Sequence, residues 1–318
     1  MARSIEYRPV RWVGQQHPAT NRFFANRDSE PGIGVLETSE PPMNPDANKP
    51  LCHAGSPEPM AVGAGELLVH RLKTVSSTND LAKQWLGDAG TDGPAAWIAK
   101  VQTAGRGTRG RSWASPEGGL WMSLAVPLSD PTTDILPGLG MRVGLAIARA
   151  VRGALPDDRA SRVRLRWPND LIATEADQPP RKLGGTIIER VDTGIVIGVG
   201  INVNNPPPRQ DGAGSPLRTP AMALADLAER QLPIDRLADA AIRELVRLVP
   251  VPGLPADLRE EIEGMLYRPE SPVRVTGRDG TEQSGIIKGL SPQPQSLGAL
   301  LLETTEGRIV TVSSGELG

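Results

Sequence analysis

Between residues 65 and 203 the chain alternates short apolar runs with glycine-rich turns, and helical stripes interrupt them. Leu67, Leu68, Val69 and Leu72 mark a first strand. A helix using Leu81, Trp85 and Leu86 follows, with Ser77 or Thr78 as N-cap and Gly87 near its end. Residues 95–101 and 119–126 read as strands flanking a glycine- and arginine-rich loop. Asp134 precedes a helix whose Leu139, Val143, Ile147 and Val151 recur at i+4, a core-facing stripe. Residues 162–167 alternate, with Val163, Leu165 and Trp167 on one face and arginines on the other. Segment 174–181 is a turn, and 183–191 and 195–203 pair across Asp192-Thr193-Gly194. Thr219-Pro220 predicts a helix start, and 234–249 is helical with Leu237, Ala241, Leu245 and Leu248 inward. Beyond Pro269 the period shortens to strands at 273–276, 285–290, 300–303 and 310–312. Arg278-Asp279-Gly280 and Thr305-Glu306-Gly307 turn the chain between them, which predicts a small β-barrel.

Residues 1–63 break this regularity. They are rich in Pro, Asn, Ser and Gly, hold no sustained period, and predict a poorly ordered extension. The expected organisation is therefore 1–63 extension, 64–267 main α+β domain and 268–318 barrel. Of 318 residues 38% are hydrophobic and the net charge is −2, which argues against a general polyanion-binding surface. The longest clean apolar run, 194–201, is far too short to span a bilayer. The N-terminus lacks the apolar stretch of a signal peptide, so a cytoplasmic protein without a membrane partner is expected. A single cysteine, Cys52, excludes an internal disulfide framework and a Cys-based zinc site. With six lysines against twenty-nine arginines, a lysine beside a glycine pair, Lys182, stands out.

The chemistry gathers in five places. Gly105, Gly107 and Gly110 alternate with Arg106, Arg109 and Arg111, a mobile cationic loop suited to clamping phosphate or carboxylate, or else a solvated turn. Ser76-Ser77-Thr78-Asn79 offers donors and acceptors at a helix mouth, where the same residues also serve as caps. Arg166-Trp167-Pro168-Asn169-Asp170 closes a strand, Lys182-Leu183-Gly184-Gly185 opens another, and Gly198-Val199-Gly200-Ile201-Asn202-Val203-Asn204 ends a third. In this order and spacing the set resembles the catalytic domain of biotin protein ligases over roughly residues 65–250. Residues 268–316 resemble that family's SH3-like barrel.

The resemblance implies an α+β fold: a mixed, mainly antiparallel sheet with helices, like class II synthetases, followed by the barrel. It implies a carbon–nitrogen ligase that uses ATP and Mg2+ to activate biotin as biotinyl-5′-AMP. The biotin then passes to a lysine of a biotin carboxyl carrier protein of the acetyl-CoA carboxylase type. Biotin contacts fall on Ser77, Thr78, Asn79, Gln102, Arg106, Gly107, Thr108 and Lys182. The nucleotide falls to Arg111, Trp113, Asn169, Asp170 and Asn202, with no dedicated metal ligands beyond the ATP phosphates. Lys182, Arg106 and Asp170 are the catalytic candidates, Asp170 as proton acceptor for the incoming amine. Gly184 and Gly185 are expected to let backbone approach the ligand. Trp113 and Trp121 either wall the thiophane and adenine regions or belong to the core, and Asn169-Asp170 also reads as a turn. The amphipathic helix pair of an operator-binding domain is missing from 1–63, so neither DNA binding nor repression is expected; a homodimer is left open.

Two positions depart from the family pattern. Thr108 stands where most relatives carry arginine, so leakage of biotinyl-AMP is expected unless Arg109 substitutes. Arg166 stands for the commoner lysine. The competing readings are a lipoate or octanoyl ligase of the same fold, and a non-catalytic biotin-binding regulator. Gly-Arg-Gly, Trp-Pro-Asn-Asp and the barrel weigh against the first; the intact Lys182, Asn169 and Arg111 weigh against the second.

Overall fold

The computed structural model describes residues 57–62, 65–88, 93–128, 135–210, 217, 219–277 and 279–317. Eight strands form one sheet: β1 (Glu58–Val62), β2 (Gly65–Val75), β3 (Ala95–Gln102), β4 (Leu120–Pro127), β5 (Val163–Arg166), β6 (Asp170–Ala173), β7 (Arg181–Val191) and β8 (Gly194–Ile201). Their spatial order is β1-β2-β3-β4-β8-β7-β6-β5. Only β2 and β3 run parallel, because α1 (Thr78–Gly87) connects them as a crossover. The sheet is thus mixed and mainly antiparallel.

One face carries α2 (Leu139–Gly153) and α5 (Ile234–Leu248), which pack on each other and on the sheet. The α2 stripe Leu139, Val143, Ile147 and Val151 is buried, each side chain contributing ~1.5–3 kcal/mol through removal from water. The opposite face carries α1, whose Ala82 and Leu86 close a smaller cluster with Leu72, Val75, Trp97 and Val196. Short helices α3 (Asp157–Ala160), α4 (Leu224–Ala228) and α6 (Ala256–Met265) join these parts. A second sheet holds β9 (Val273–Thr276), β10 (Glu282–Leu290), β11 (Leu300–Glu303), β12 (Ile309–Val312) and β13 (Glu316–Leu317), ordered β12-β11-β10-β9-β13.

Several local expectations need correction. Residues 58–62, assigned to the poorly ordered extension, form edge strand β1, whose register pairs Glu58 with Val69 through Val62 with Gly65. Pro59 is tolerated there because an edge strand leaves half its N–H groups without a ladder partner. The remainder of that extension lies outside the described residues except for residue 57. Thr219-Pro220 does not start a helix; α4 begins at Leu224. Instead Pro220 O accepts from Lys182 N at 2.7 Å and Ala221 bridges to Lys182 in parallel, so the segment lies beside β7. At Gly184 and Gly185 protein atoms occupy the space that a side chain would take. A Cβ on Gly184 would meet Gly200 O at 2.2 Å, and one on Gly185 would meet Asn169 O at 3.1 Å.

On the α1 face, His70 stacks on Trp97 at 5.0 Å between ring centroids, with Trp85 edge-on at 6.1 Å. Its Nε2 is buried without a protein partner, and burial holds the imidazole pKa below the usual 6.5. The unfolded chain therefore takes up this proton first as the solution is acidified. Stability is fully present above pH ~6.5 and declines as pH falls toward the lowered folded value. A His70→Phe variant should lose less Tm than the native chain between about pH 7 and pH 5.5; equal losses in a calorimetric series would contradict this.

Candidate functional site

The first turn of α1 and residues of the three strands β3, β4 and β7 build a polar floor. Ser77 sits at the N-cap in an extended conformation but makes no side-chain cap bond. Ser77 thus holds the expected N-cap position without the side-chain bond that usually goes with it. Gln102, at the end of β3, accepts from Thr78 N at 2.8 Å and from Thr78 Oγ1 at 3.0 Å through Oε1. Its Nε2 donates to Ser115 Oγ at 3.0 Å, and Ser115 Oγ donates to Trp113 O at 3.1 Å. Ser123 on β4 lies 2.7 Å from Thr78 Oγ1 and 2.5 Å from Asn79 Oδ1. Asn79 Nδ2 donates to Glu189 Oε2 at 2.6 Å, and Lys83 Nζ pairs with Glu189 Oε1 at 2.6 Å. Burial pushes Glu189 upward, but hydrogen bonds from Lys83 and Asn79 outweigh it and hold the carboxyl below its ordinary range.

This floor is one hydrogen short. Its oxygen pairs Thr78–Gln102, Ser123–Thr78 and Ser123–Asn79 need a proton each, and the two hydroxyls supply two. Thr78, Asn79 and Ser123 are all buried. A ligand N–H could donate to whichever of Thr78 Oγ1 and Asn79 Oδ1 the single Ser123 proton does not serve.

Beyond Trp113 lies the charged end. Lys182 Nζ, on β7, is 2.7 Å from Asp170 Oδ1 and 5.2 Å from the Trp113 ring centroid. Asn169 is pinned beside them: its Nδ2 donates to Thr186 O at 3.0 Å, and its O accepts from Thr186 N at 2.9 Å. Trp113 Nε1 and Asn202 Nδ2 are buried donors without a protein partner, while Asn202 Oδ1 accepts from Asn205 Nδ2 at 3.1 Å. Buried donors in this condition are rare. Trp121, by contrast, is fully buried and donates to Pro116 O at 2.7 Å, a core residue rather than a pocket wall.

The Gly/Arg loop between β3 and β4 folds back on itself. Trp113 N donates to Gly105 O at 2.8 Å, and Gly107 N to Arg111 O at 2.8 Å. Each loop arginine already holds a carboxylate. Arg106 grips Asp80 with both guanidinium arms, and that hydrogen bonding raises its pKa. Arg109 and Arg111 reach Glu316 of β13 at 3.1 and 2.7 Å. Arg109 adopts φ 61°, an unusual conformation for a side chain of this size. Thr108 accepts from Arg111 through both Oγ1 (3.2 Å) and its carbonyl (3.3 Å). The barrel also touches the Trp-Pro-Asn-Asp segment, through Arg166 to Leu317 O at 2.9 Å and Trp167 Nε1 to Gly298 O at 3.1 Å.

Of the residues singled out from sequence, Thr78, Asn79 and Gln102 share the floor, and Trp113, Asp170 and Lys182 share the charged end. Thr108 and Arg111 lie in the part of the loop that Glu316 holds. Ser123, Glu189, Lys83, Asp80 and Glu316 escaped the sequence reading. A lone serine in the otherwise apolar β4 was the one available signal for Ser123, and Glu189 lies in a strand with several other polar residues.

Comparison with known proteins gives a consistent picture. The biotin/lipoate A/B protein ligase family profile matches residues 72–204. The biotin--[acetyl-CoA-carboxylase] ligase of Mycobacterium tuberculosis is 30% identical over 261 residues, 81% of this chain and 91% of that relative. The bifunctional ligase/repressor BirA of Escherichia coli is 33% identical over 77% of this chain and 72% of its own length. A biotin protein ligase from Aquifex aeolicus, solved in complex with biotin and ATP, superposes with a TM-score of 0.61 at 25% identity, covering 79% of this chain and 97% of that one.

Proposed function

Because the chain belongs to the biotin/lipoate A/B protein ligase family, we infer that it is an ATP-dependent biotin ligase acting on a biotin carboxyl carrier protein. One observation carries this reading. A chain of polar contacts runs from Glu189 through Asn79, Ser123, Thr78, Gln102 and Ser115 to the Trp113 carbonyl, and Lys182 stands over the indole of that same residue. A ureido ring at the hydroxyl and amide end and an acyl phosphate at the lysine end match this sequence of groups. A lipoyl dithiolane offers no N–H to a floor that is short of one, which favours biotin over the lipoate reading.

In the first half-reaction the biotin carboxylate attacks the α-phosphate of ATP and pyrophosphate leaves. Negative charge accumulates on the phosphoryl oxygens, and Lys182 is the cation we assign to it. In the resting arrangement Asp170 occupies that ammonium, so Lys182 exchanges one oxyanion partner for another when substrate enters. Trp113 and Asn202 supply the two unused donors to the nucleotide. Asn169 and Asp170 are the oxygen-bearing side chains that would hold magnesium arriving with ATP, which would supply charge neutralisation at the phosphates. Among the described residues no three His, Cys, Asp or Glu side chains gather where they could hold a metal ion. In the second half-reaction a carrier lysine attacks the mixed anhydride and AMP leaves. Asp170, freed by the lysine's exchange, is the acceptor assigned to the amine proton.

Among the described residues no helix is long and apolar enough to cross a membrane. A cytoplasmic ligase without repressor function, acting on a carboxylase carrier domain, is the whole of the proposal. Incubating the protein with ATP and magnesium plus biotin or lipoate tests it directly. Pyrophosphate release that depends on biotin is the expected result; release that depends on lipoate, or none with either acid, would overturn it.

Thr108 bears on retention of the intermediate. It is tied to Arg111 and sends no cation toward the floor. Thr108→Arg should cut the release of biotinyl-AMP several-fold, read as biotin on lysines of a bystander protein. Equal labelling by both proteins would contradict this.

A further inference from the structure

Glu189 lies on β7 (26% exposed side chain), within a stretch that reads from sequence as an ordinary strand end. Its two carboxylate oxygens are both engaged, one by Lys83 and the other by the Asn79 amide nitrogen. An ionised carboxylate only accepts hydrogen bonds. The Asn79 amide therefore has one allowed orientation, with Nδ2 toward Glu189 and Oδ1 toward Ser123. The opposite orientation would press Oδ1 against a carboxylate oxygen. It would also place an N–H on Ser123, and the floor's missing hydrogen would then come from the protein itself.

We propose that Glu189 is a specificity-determining positioning residue: by fixing the polarity of the Asn79 amide it keeps the floor one hydrogen short, and so reserves an acceptor for an N–H of the ligand's ureido ring. This rests on the biotin reading above. Two further features support the arrangement. A Cβ at Gly198 on β8 would meet Asn79 Oδ1 at 2.5 Å and Nδ2 at 3.0 Å, so glycine there makes room for this amide. Lys83 in turn keeps Glu189 ionised through a 2.6 Å pair, and an ionised group is what the argument requires. Glu189 touches no substrate; it acts through Asn79.

The test compares native protein with Glu189→Gln by calorimetric titration of biotin and of a biotin analogue methylated on one ureido nitrogen. A glutamine amide can donate as well as accept, so Asn79 becomes free to turn. In the variant, biotin should bind about tenfold more weakly or worse, because a buried acceptor for its N–H is lost. The preference for biotin over the methylated analogue should shrink, and KM for ATP should stay within about twofold, a split that a general loss of structure would not produce. Glu189→Asp, still an acceptor only, should recover most of the preference. Where Glu189→Gln does not fold, Glu189→Ala also frees the amide and carries the same expectation. Native-like biotin affinity with an unchanged preference in Glu189→Gln would overturn the inference while leaving the ligase reading intact. Absence of biotin binding by the native protein would overturn both.

Discussion

Lys182→Ala should leave a folded protein whose biotin-dependent pyrophosphate release falls by about a hundredfold to a thousandfold, the usual cost of removing one positioned donor from a developing oxyanion. The magnitude follows from the arrangement around it. The loop arginines are committed elsewhere, Arg106 to Asp80 and Arg109 and Arg111 to Glu316. Lys182 is the cation that stands over Trp113 at the end of the floor network. Lys182→Arg should not restore the rate, because a planar fork replaces a compact ammonium between Asp170 and an indole face. Folding should survive, since the side chain is 24% exposed and its backbone bonds to Pro220 and Met222 persist. Rapid-quench adenylation with a thermal melt on the same sample checks both halves; near-native turnover would remove Lys182 from the mechanism.

The largest loss of stability is expected at a residue far from that chemistry. Arg142, in the first turn of α2, is fully buried. Its guanidinium donates to Leu248 O at 2.7 Å and Val249 O at 2.5 Å at the end of α5, and also to Ile135 O and Pro137 O before α2. Burial lowers its pKa to about 10, so it remains charged at neutral pH and sits at the negative end of the α5 dipole. Arg142→Met keeps the volume and strips these carbonyls of their donors. A loss of about 3–5 kcal/mol is expected, seen as a Tm lower by on the order of 10 °C. Arg142→Lys should rescue little, because one ammonium cannot span carbonyls on both sides of the helix junction. A Tm within a few degrees of native would show that the carbonyls find other partners.

Why the sequence disclosed some of this and concealed the rest has a physical basis. The i+4 stripe of α2 and the inward Leu237, Ala241, Leu245 and Leu248 of α5 announced their elements, because period and burial coincide there. Strand β6 and strand β13 gave weak signals, at four and two residues, since their pairing is set by neighbours rather than by their own pattern. Thr219-Pro220 carried a sound local helix signal that the β7 ladder overrode. The same division holds at the site. Thr78, Gln102 and Lys182 lay in motifs and could be picked out, whereas Ser123, Glu189 and Glu316 lie in strands outside any motif, and their pairing with Thr78, Asn79 and Arg111 is set by the fold. Which carboxylate pairs with which loop arginine depends on contacts between residues as far apart as Arg109 and Glu316, and no local pattern encodes that. Nothing in the α2 stripe singled out Arg142; only the packing of α2 on α5 gives it its role.

Vitamin and nucleotide are expected to meet end to end across Trp113. A crystal structure with a non-hydrolysable analogue of biotinyl-AMP measures this most directly. The ureido ring should rest on Thr78, Asn79 and Ser123, with Lys182 swung from Asp170 onto the acyl-phosphate mimic and the adenine beside Trp113 and Asn202. An analogue bound with Lys182 still on Asp170 and its ureido ring away from Ser123 would contradict it.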